Sequence, residues 1–184
     1  MRFTKTSALI GAVFAVVLGG TVQAQGVKAP VTAVVDVQRI MHEATAAKDV
    51  RSQIEAKRQV LGTQISTEEN QLRQAEQELA DQRALLSNEA FAKKRQAFQQ
   101  QVADMQRKVQ LSRRQLDQAF VDAMAKIQEV LLRVVAELAA ERKVDIVLRK
   151  SQVLVFAKTM DLTAPTLERL NAKIKKITIE MPKS

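Results

Sequence analysis

The feature that most constrains this fold is residues 43–142, a stretch with no proline and a single glycine, Gly62. It is dense in Ala, Gln, Glu, Lys, Arg and Leu, all of which favour the α-helix. Because the propensities add over so long a window, the stretch predicts helix throughout.

Apolar residues in this stretch recur at steps of three, four and seven, which places them on one narrow stripe of a helix, as a coiled-coil seam requires. In the first half the stripe comprises Ile54, Leu61, Ile65, Leu72, Leu79 and Leu86. In the second half it comprises Phe91, Phe98, Val102, Met105, Val109 and Leu116. Ser87 and Asn88 favour caps and turns, and Glu89 would then lie in the first turn of a new helix. We therefore predict a helical hairpin; the alternative is one uninterrupted coiled coil.

Residues 1–24 have the pattern of a secretory signal peptide. Arg2 and Lys5 precede an apolar run, and small residues lead up to Ala24. The apolar run is too short to span a bilayer of about 30 Å, so we expect cleavage after Ala24 and a soluble, exported product. The chain has no cysteine, which excludes disulfides and lipid attachment through a cysteine.

The mature chain is strongly basic. Loss of Arg2 and Lys5 takes Lys plus Arg from 29 to 27 against 20 Asp plus Glu, a formal net charge of +7. Such a charge attracts anionic partners, which include nucleic acid, acidic lipid headgroups and acidic polypeptides. Aromatic residues are scarce, with no Trp or Tyr, and a single-stranded nucleic-acid platform needs them. No nucleic-acid partner is therefore expected, whereas an anionic lipid surface stays open.

Short β-branched runs flank the helical stretch. Residues 31–37 (VTAVVDV), 144–149 (VDIVLR) and 153–157 (VLVFA) predict three strands, the last two joined by a tight turn. Thr163 is the predicted N-cap of a last helix that runs to about Lys173. Residues 174–184 could prolong this helix, add a strand or fray.

The fold class is therefore mainly α with a small β body: a helical arm, residues 43–142, projects from a β-rich base of residues 25–42 and 143–184. So small a sheet with open edges is marginal alone, so we expect the base to be an oligomer. Its candidate oligomerisation residues are Val35, Val37, Ile146, Val147, Leu148, Val153 and Val155.

Residues that support catalysis are not visible in the sequence. Beyond the signal peptide the only glycines are Gly26 and Gly62, so no phosphate-binding loop exists. His42 is the sole histidine, and the carboxylates of the helical stretch alternate with basic residues at helix-surface spacing. We predict that the protein is not an enzyme and binds no metal or cofactor.

The charge is most uneven beyond the predicted turn, where seven basic residues face two acidic ones. A solubilising face is one interpretation; the other is a surface for anionic clients with apolar contacts beside it. The client-binding candidates are Phe91, Lys93, Lys94, Arg95, Phe98, Met105, Arg107, Lys108, Arg113 and Arg114.

The two ends of the mature chain resemble the Skp (OmpH-like) family of periplasmic chaperones. The matching residues before the helical stretch are Val35, Asp36, Val37, Arg39 and Ile40, and those after it are Val144, Asp145, Ile146, Val147, Leu148, Asp161, Leu162, Thr163, Leu167 and Leu170. The helical middle would match many proteins. The chain departs from the family at Lys143, where the family commonly has Gly, and in a tail, residues 174–184, that runs beyond the usual end.

This resemblance implies a periplasmic homotrimer whose three arms enclose a cavity that holds unfolded outer-membrane proteins without nucleotide. A Gln-rich, weakly apolar seam would make the arms bend easily, which suits many weak contacts. The rival interpretation is a structural or adaptor coiled coil of the envelope, which should present a regular apolar stripe at the tip of its hairpin.

Overall fold

The structure, a computed structural model, describes residues 28–180. The predicted signal peptide lies outside the described residues. In order, the chain forms β1 (Thr32–Val35), α1 (Val37–Glu43), α2 (Thr45–Asp81), α3 (Asn88–Glu141), β2 (Ile146–Arg149) and α4 (Thr163–Lys173). The predicted class, mainly α with a small sheet, is confirmed. We call α2, α3 and the turn between them the arm, and residues 28–44 and 142–180 the base.

The arm reverses where the sequence predicts it. After α2 comes a 3₁₀ turn, Gln82–Ala84, and Ser87 then caps α3 with its side-chain oxygen, which accepts a hydrogen bond from the Ala90 N–H at 3.3 Å. Glu89 lies in the first turn. With 37 residues in α2 and 54 in α3, the helices are about 55 Å and 80 Å long.

Burial is confined to the base and the part of the arm next to it. Ile40, Val50, Ile127 and Leu131 are fully buried. On the arm, burial ends at Ile54 of α2 and Leu116 of α3, and between residues 55 and 115 no side chain is buried. The outer arm is therefore a two-helix hairpin with a half-exposed seam.

The sheet is parallel and shorter than predicted. β1 pairs with β2 in the register Thr32↔Ile146 to Val35↔Arg149, and Val34 forms a bridge with Asp161 on the other side of β1. The predicted extension of the first strand to Val37 is wrong, because Asp36 caps α1: its Oδ1 accepts a hydrogen bond from the Arg39 N–H at 2.9 Å.

The predicted third strand, residues 153–157, is also wrong, and so is the tight hairpin before it. This segment is irregular and lies between two 3₁₀ turns, Lys150–Gln152 and Lys158–Met160. Leu154 and Val155 are almost fully exposed. Strand propensity depends on a surface to pack against, and the protomer provides none here. With two four-residue strands in the described chain, the base is less β-rich than predicted.

The geometry at the end of α3 shows why glycine suits the position of Lys143, where this chain departs from the family that it resembles. The Val144 N–H donates to Ala139 O at 2.9 Å and the Lys143 N–H donates to Ala140 O at 3.2 Å, the pattern of a Schellman motif. Lys143 has a φ of 53°. The motif needs a left-handed residue at this position, which glycine adopts without strain.

The start of α4 differs by one residue from the prediction. Thr163 is the first helical residue rather than the N-cap. Its hydroxyl oxygen accepts a hydrogen bond from the Asp36 N–H at 2.9 Å, and its own N–H donates to Asp161 Oδ1 at 2.8 Å. These bonds join α4 to the start of α1. The tail, where it is described, leaves the helix after Lys173 and packs on α2 with Ile179 buried.

Candidate client-binding surface

The ten client-binding candidates all lie on α3, along its outer part. From Phe91 to Arg114 they cover about 35 Å of helix. The seven basic residues are exposed, whereas Phe91, Phe98 and Met105 are half-buried on the seam. The structure thus leaves part of each apolar side chain accessible beside positive charge.

At the tip, the structure brings Phe91 together with a cation of the turn that precedes α3. The Arg83 guanidinium lies 4.9 Å from the centroid of the Phe91 ring, within cation–π distance. Lys94 Nζ donates to Gln82 Oε1 at 2.5 Å. Lys93 pairs with Glu89 at 3.0 Å. Leu85 is 83% exposed, but it stands as a single apolar residue among polar ones.

In the middle of the outer arm, Met105 and Lys108 share a groove between α2 and α3. Its volume is about 510 Å³, and Glu68 and Leu72 line its other wall. Lys108 forms an ion pair with Glu68 across the hairpin. The groove therefore combines an adaptable thioether with a charged rim, which suits loose binding of varied sequences.

The basic candidates differ in how far their charge is neutralised. Arg107 pairs with Asp104 on its own helix, in addition to the pairs of Lys93 and Lys108. Within residues 28–180, Lys94, Arg95, Arg113 and Arg114 have no carboxylate at ion-pairing distance, and the bond of Lys94 is to the neutral Gln82 amide. Exposed ion pairs are weak, so paired lysines can still exchange partners. Lys94 and the three arginines therefore carry charges that no carboxylate neutralises.

The oligomerisation candidates separate into buried and exposed residues. Val35 belongs to the core of the protomer, and Val37, Val147 and Val153 are half-buried. Ile146, Leu148 and Val155 are exposed. Leu154 beside Val155 is exposed as well, and it is not among the sequence candidates.

The described ionisable groups with displaced pKa values lie in the base or, in the case of Glu141, at the end of α3 that adjoins it. Burial tends to raise the pKa of Asp161, but the hydroxyl and N–H of Thr163, with the charges of Lys150 and Arg39, outweigh it and lower the pKa below its ordinary value. The hydrogen bond from Arg169 lowers the pKa of Glu141, and the two side chains pair at 2.5 Å. The Arg169–Glu141 pair joins α4 to the end of α3.

No cluster of three metal-ligating side chains occurs in the part of the chain that the structure describes. Across residues 28–180, none of the helices has both the length and the hydropathy to cross a membrane.

The protein is a long two-helix arm with a basic outer surface, which extends from a small base of short helices and a two-stranded sheet. The model of the family described as outer membrane protein (OmpH-like) matches residues 31–170. The chain belongs to the OmpH-like family, and the resemblance noted in the sequence is confirmed.

The fold also matches a crystal structure of an OmpH-like protein of Caulobacter crescentus, described as a candidate outer membrane chaperone. The TM-score is 0.78 at 18% sequence identity, and the match covers 86% of this chain and 94% of that one. At this identity the likeness shows a shared fold. A search among curated proteins found no match.

Sequence analysis did not identify Gln53, which binds the tail. The sequence signal for this contact lies in the tail, where Ile177, Thr178 and Ile179 alternate in polarity. Such alternation is typical of an extended segment with one apolar face. That alternation could not indicate which helix the segment would contact.

Proposed function

We propose that this protein is an ATP-independent periplasmic holdase chaperone that binds unfolded outer-membrane proteins and prevents their aggregation. The observation that carries the proposal is the outer arm, in which no side chain between residues 55 and 115 is buried. An arm that leaves its own seam half-exposed offers apolar contacts over a long surface. Membership of the OmpH-like family supports the same role.

Binding on such a surface is multivalent. Each contact, such as the Met105 groove or the Phe91 edge, is small, but many contacts on one client raise the effective concentration of the next. The unpaired Arg95, Arg113 and Arg114 attract acidic clients over about 8–10 Å at physiological salt. Neither step needs nucleotide.

The base is proposed to hold three copies together. Among the described residues β2 pairs only with β1, and four apolar side chains in β2 or shortly after it are exposed, those of Ile146, Leu148, Leu154 and Val155. Open strand edges and contiguous apolar patches are sites of self-association. A trimer would place three arms around one cavity. Export after cleavage of residues 1–24 would place it in the periplasm.

The rival adaptor function needs a regular apolar stripe at the tip. Leu85 is exposed there, but Leu86 is half-buried, Ser87 and Asn88 follow it, and Arg83 lies over Phe91. This polar surrounding favours the chaperone over the adaptor.

Capture of a client tests the proposal. A fluorescent outer-membrane β-barrel protein is diluted from urea into the mature protein without nucleotide, and light scattering and stopped-flow fluorescence are recorded. We expect suppressed aggregation and an association rate that falls as salt rises, with a smaller change in the dissociation rate. Aggregation at the rate of the client alone would refute the holdase function.

A charge variant tests the role of the arm. Arg95, Arg113 and Arg114 changed together to Gln should slow capture several-fold, as should Lys93, Lys94 and Arg95 changed to Glu. The matched control removes three charges from exposed residues of the base, Lys28, Arg142 and Lys158. If the arm and base variants slow capture equally, net charge rather than the arm surface is responsible.

Light scattering tests the trimer. Leu154→Ser with Val155→Ser should shift the mass from trimer towards monomer. Val121→Ser with Leu132→Ser, two other exposed apolar residues, both on α3, should leave the mass unchanged. A native protein that is monomeric at micromolar concentration would exclude the proposed assembly.

A further inference from the structure

Residues 174–180 lie along α2 as an extended segment. One glutamine of α2 binds the backbone of this segment through its side chain. Gln53 Nε2 donates to Ile177 O at 2.8 Å, and the Ile179 N–H donates to Gln53 Oε1 at 3.3 Å. A single side-chain amide therefore bonds the backbone on both sides of Thr178, as a neighbouring β-strand would. Contacts to backbone atoms do not depend on sequence.

The Gln53 amide is oriented by its own helix. Asp49 Oδ2 accepts a second hydrogen bond from Gln53 Nε2 at 2.6 Å. Because a carboxylate only accepts, Nε2 must face Asp49, and this leaves Oε1 directed at the N–H of the tail. Helix α2 thus presents both a donor and an acceptor to the backbone of an extended chain.

The bound segment alternates in polarity. Ile179 is only 5% exposed and Ile177 packs against the core, whereas Thr178 and Glu180 point to solvent. Alternation with a period of two is the pattern of a strand with one apolar face, and membrane-spanning strands of outer-membrane barrels share it. The tail therefore resembles a short piece of the chains that an OmpH-like chaperone would hold.

The surface that holds the tail continues beyond it. Ala56, Lys57 and Val60 follow Gln53 on the same face of α2 at three, four and seven residues. With Leu116 of α3 they line an open groove of about 420 Å³, and Val60 is 58% exposed. An extended chain longer than residues 177–180 could occupy both places at once.

We propose that the face of α2 from Gln53 to Val60 is a binding site for extended polypeptide with alternating apolar and polar residues. Residues 177–180 of the tail occupy its base end and compete with clients for it. The occupant we assign, a segment of an unfolded barrel protein, rests on the proposed function. The family match ends at Leu170, so the competing segment lies outside the matched region.

A tail peptide tests the site. The mature chain is truncated after Lys176, which retains the bond from the Ile174 N–H to Leu170 O that closes α4, and is titrated with a fluorescent peptide of residues 174–184. We expect saturable binding. Gln53→Ala in the truncated chain should weaken it about tenfold, the effect of two lost hydrogen bonds, whereas Gln59→Ala, an exposed glutamine two turns away, should not.

The same titration contains two further controls. A peptide with Ile177→Ser and Ile179→Ser should bind at least tenfold more weakly, and the full-length protein should bind the native peptide far less than the truncated chain does. Binding that is indifferent to Gln53 and to both isoleucines would overturn the site.

Hydrogen exchange in the full-length protein tests the competition even if the truncated chain does not fold. Addition of a urea-unfolded outer-membrane barrel protein should speed exchange of the Ile179 amide about tenfold, while exchange in β1 stays unchanged. If the client is held and its aggregation suppressed but Ile179 exchange does not change, the competition is refuted and the holdase stands. If the peptide binds through Gln53 but aggregation is not suppressed, the holdase function fails and the peptide site stands.

Discussion

Asp145 and Val31 are joined by two hydrogen bonds at the edge of the base sheet: the Asp145 N–H donates to Val31 O at 2.8 Å, and the Val31 N–H donates to Asp145 Oδ2 at 2.7 Å. The first regular pair, Thr32 with Ile146, follows directly. The carboxylate satisfies the backbone N–H that precedes β1. The pair therefore sets the register of a sheet that is too short to set its own.

Removal of this carboxylate should destabilise the base. Asp145→Ala should lower the free energy of unfolding by about 1 kcal/mol, because the bond to the Val31 N–H is lost. Asp145→Asn keeps an acceptor and should cost less. Urea unfolding measures both against Asp122→Ala, an exposed carboxylate of α3. Equal effects of Asp145→Ala and Asp122→Ala would show that the pair does not fix the sheet.

Replacement of Lys143 by glycine should stabilise the protein. Its φ of 53° costs a side-chain-bearing residue about 1–2 kcal/mol, part of which glycine loses again through its freer unfolded chain. We expect a net gain of about 1 kcal/mol from Lys143→Gly and none from Lys143→Ala, which keeps a Cβ. Urea unfolding decides; a destabilising Lys143→Gly would mean that the lysine side chain has an unrecognised contact.

The arm could be predicted from sequence because its signals are local. Helix propensity, the seam from Ile54 to Leu116 and the caps at Ser87 and Asn88 all act within a few residues of each other. The base could not be predicted as well. Whether residues 153–157 form a strand depends on a surface to pack against, and the site of the tail depends on Gln53, which is more than a hundred residues away in the chain. The client-binding candidates lie on α3, and only the structure distinguishes paired Lys108 from unpaired Arg95.

Thr166 offers a second stabilising substitution. Its Oγ1 is fully buried. Among the buried side-chain oxygen and nitrogen atoms of residues 28–180, this is the one that has no hydrogen-bond partner. Valine has the same shape without the unsatisfied hydroxyl, so Thr166→Val should raise the free energy of unfolding by about 1 kcal/mol. Thr163→Val is the matched control, since the Thr163 hydroxyl accepts from Asp36, and it should destabilise by about as much. A destabilising Thr166→Val would reveal a partner for the hydroxyl.

The lowered pKa of Asp161 predicts acid sensitivity of the base. A carboxyl whose pKa is lower in the folded state stabilises the fold above its unfolded pKa, about 3.9 for Asp, and this contribution is lost as the pH falls through the folded value. Stability should therefore decline below about pH 4. Asp161→Asn should flatten that decline while Asp117→Asn, on the exposed arm, should not. The midpoint of urea unfolding, measured between pH 3 and 6, tests this expectation. If the midpoint depends on pH in the same way for the native protein and Asp161→Asn, Asp161 is not the source of the acid sensitivity.

The arm should be the softest part of the molecule, and Gly62 should contribute to this. No side chain from residue 55 to residue 115 is buried, so little packing opposes local opening of the outer helices.

A Cβ at Gly62 would meet no atom within 4 Å, so Gly62→Ala should stabilise α2 by about 1 kcal/mol through helix propensity alone. Ser66→Ala, one turn away and also exposed, should give about half of that gain. Hydrogen exchange measures both: amides around Gly62 should exchange faster than those of α1 and α4 in the native protein, and Gly62→Ala should slow them about fivefold. Protection around Gly62 equal to that at Ile40 would show that the arm is as rigid as the base, and clients would then have to adapt to the arms rather than the arms to clients.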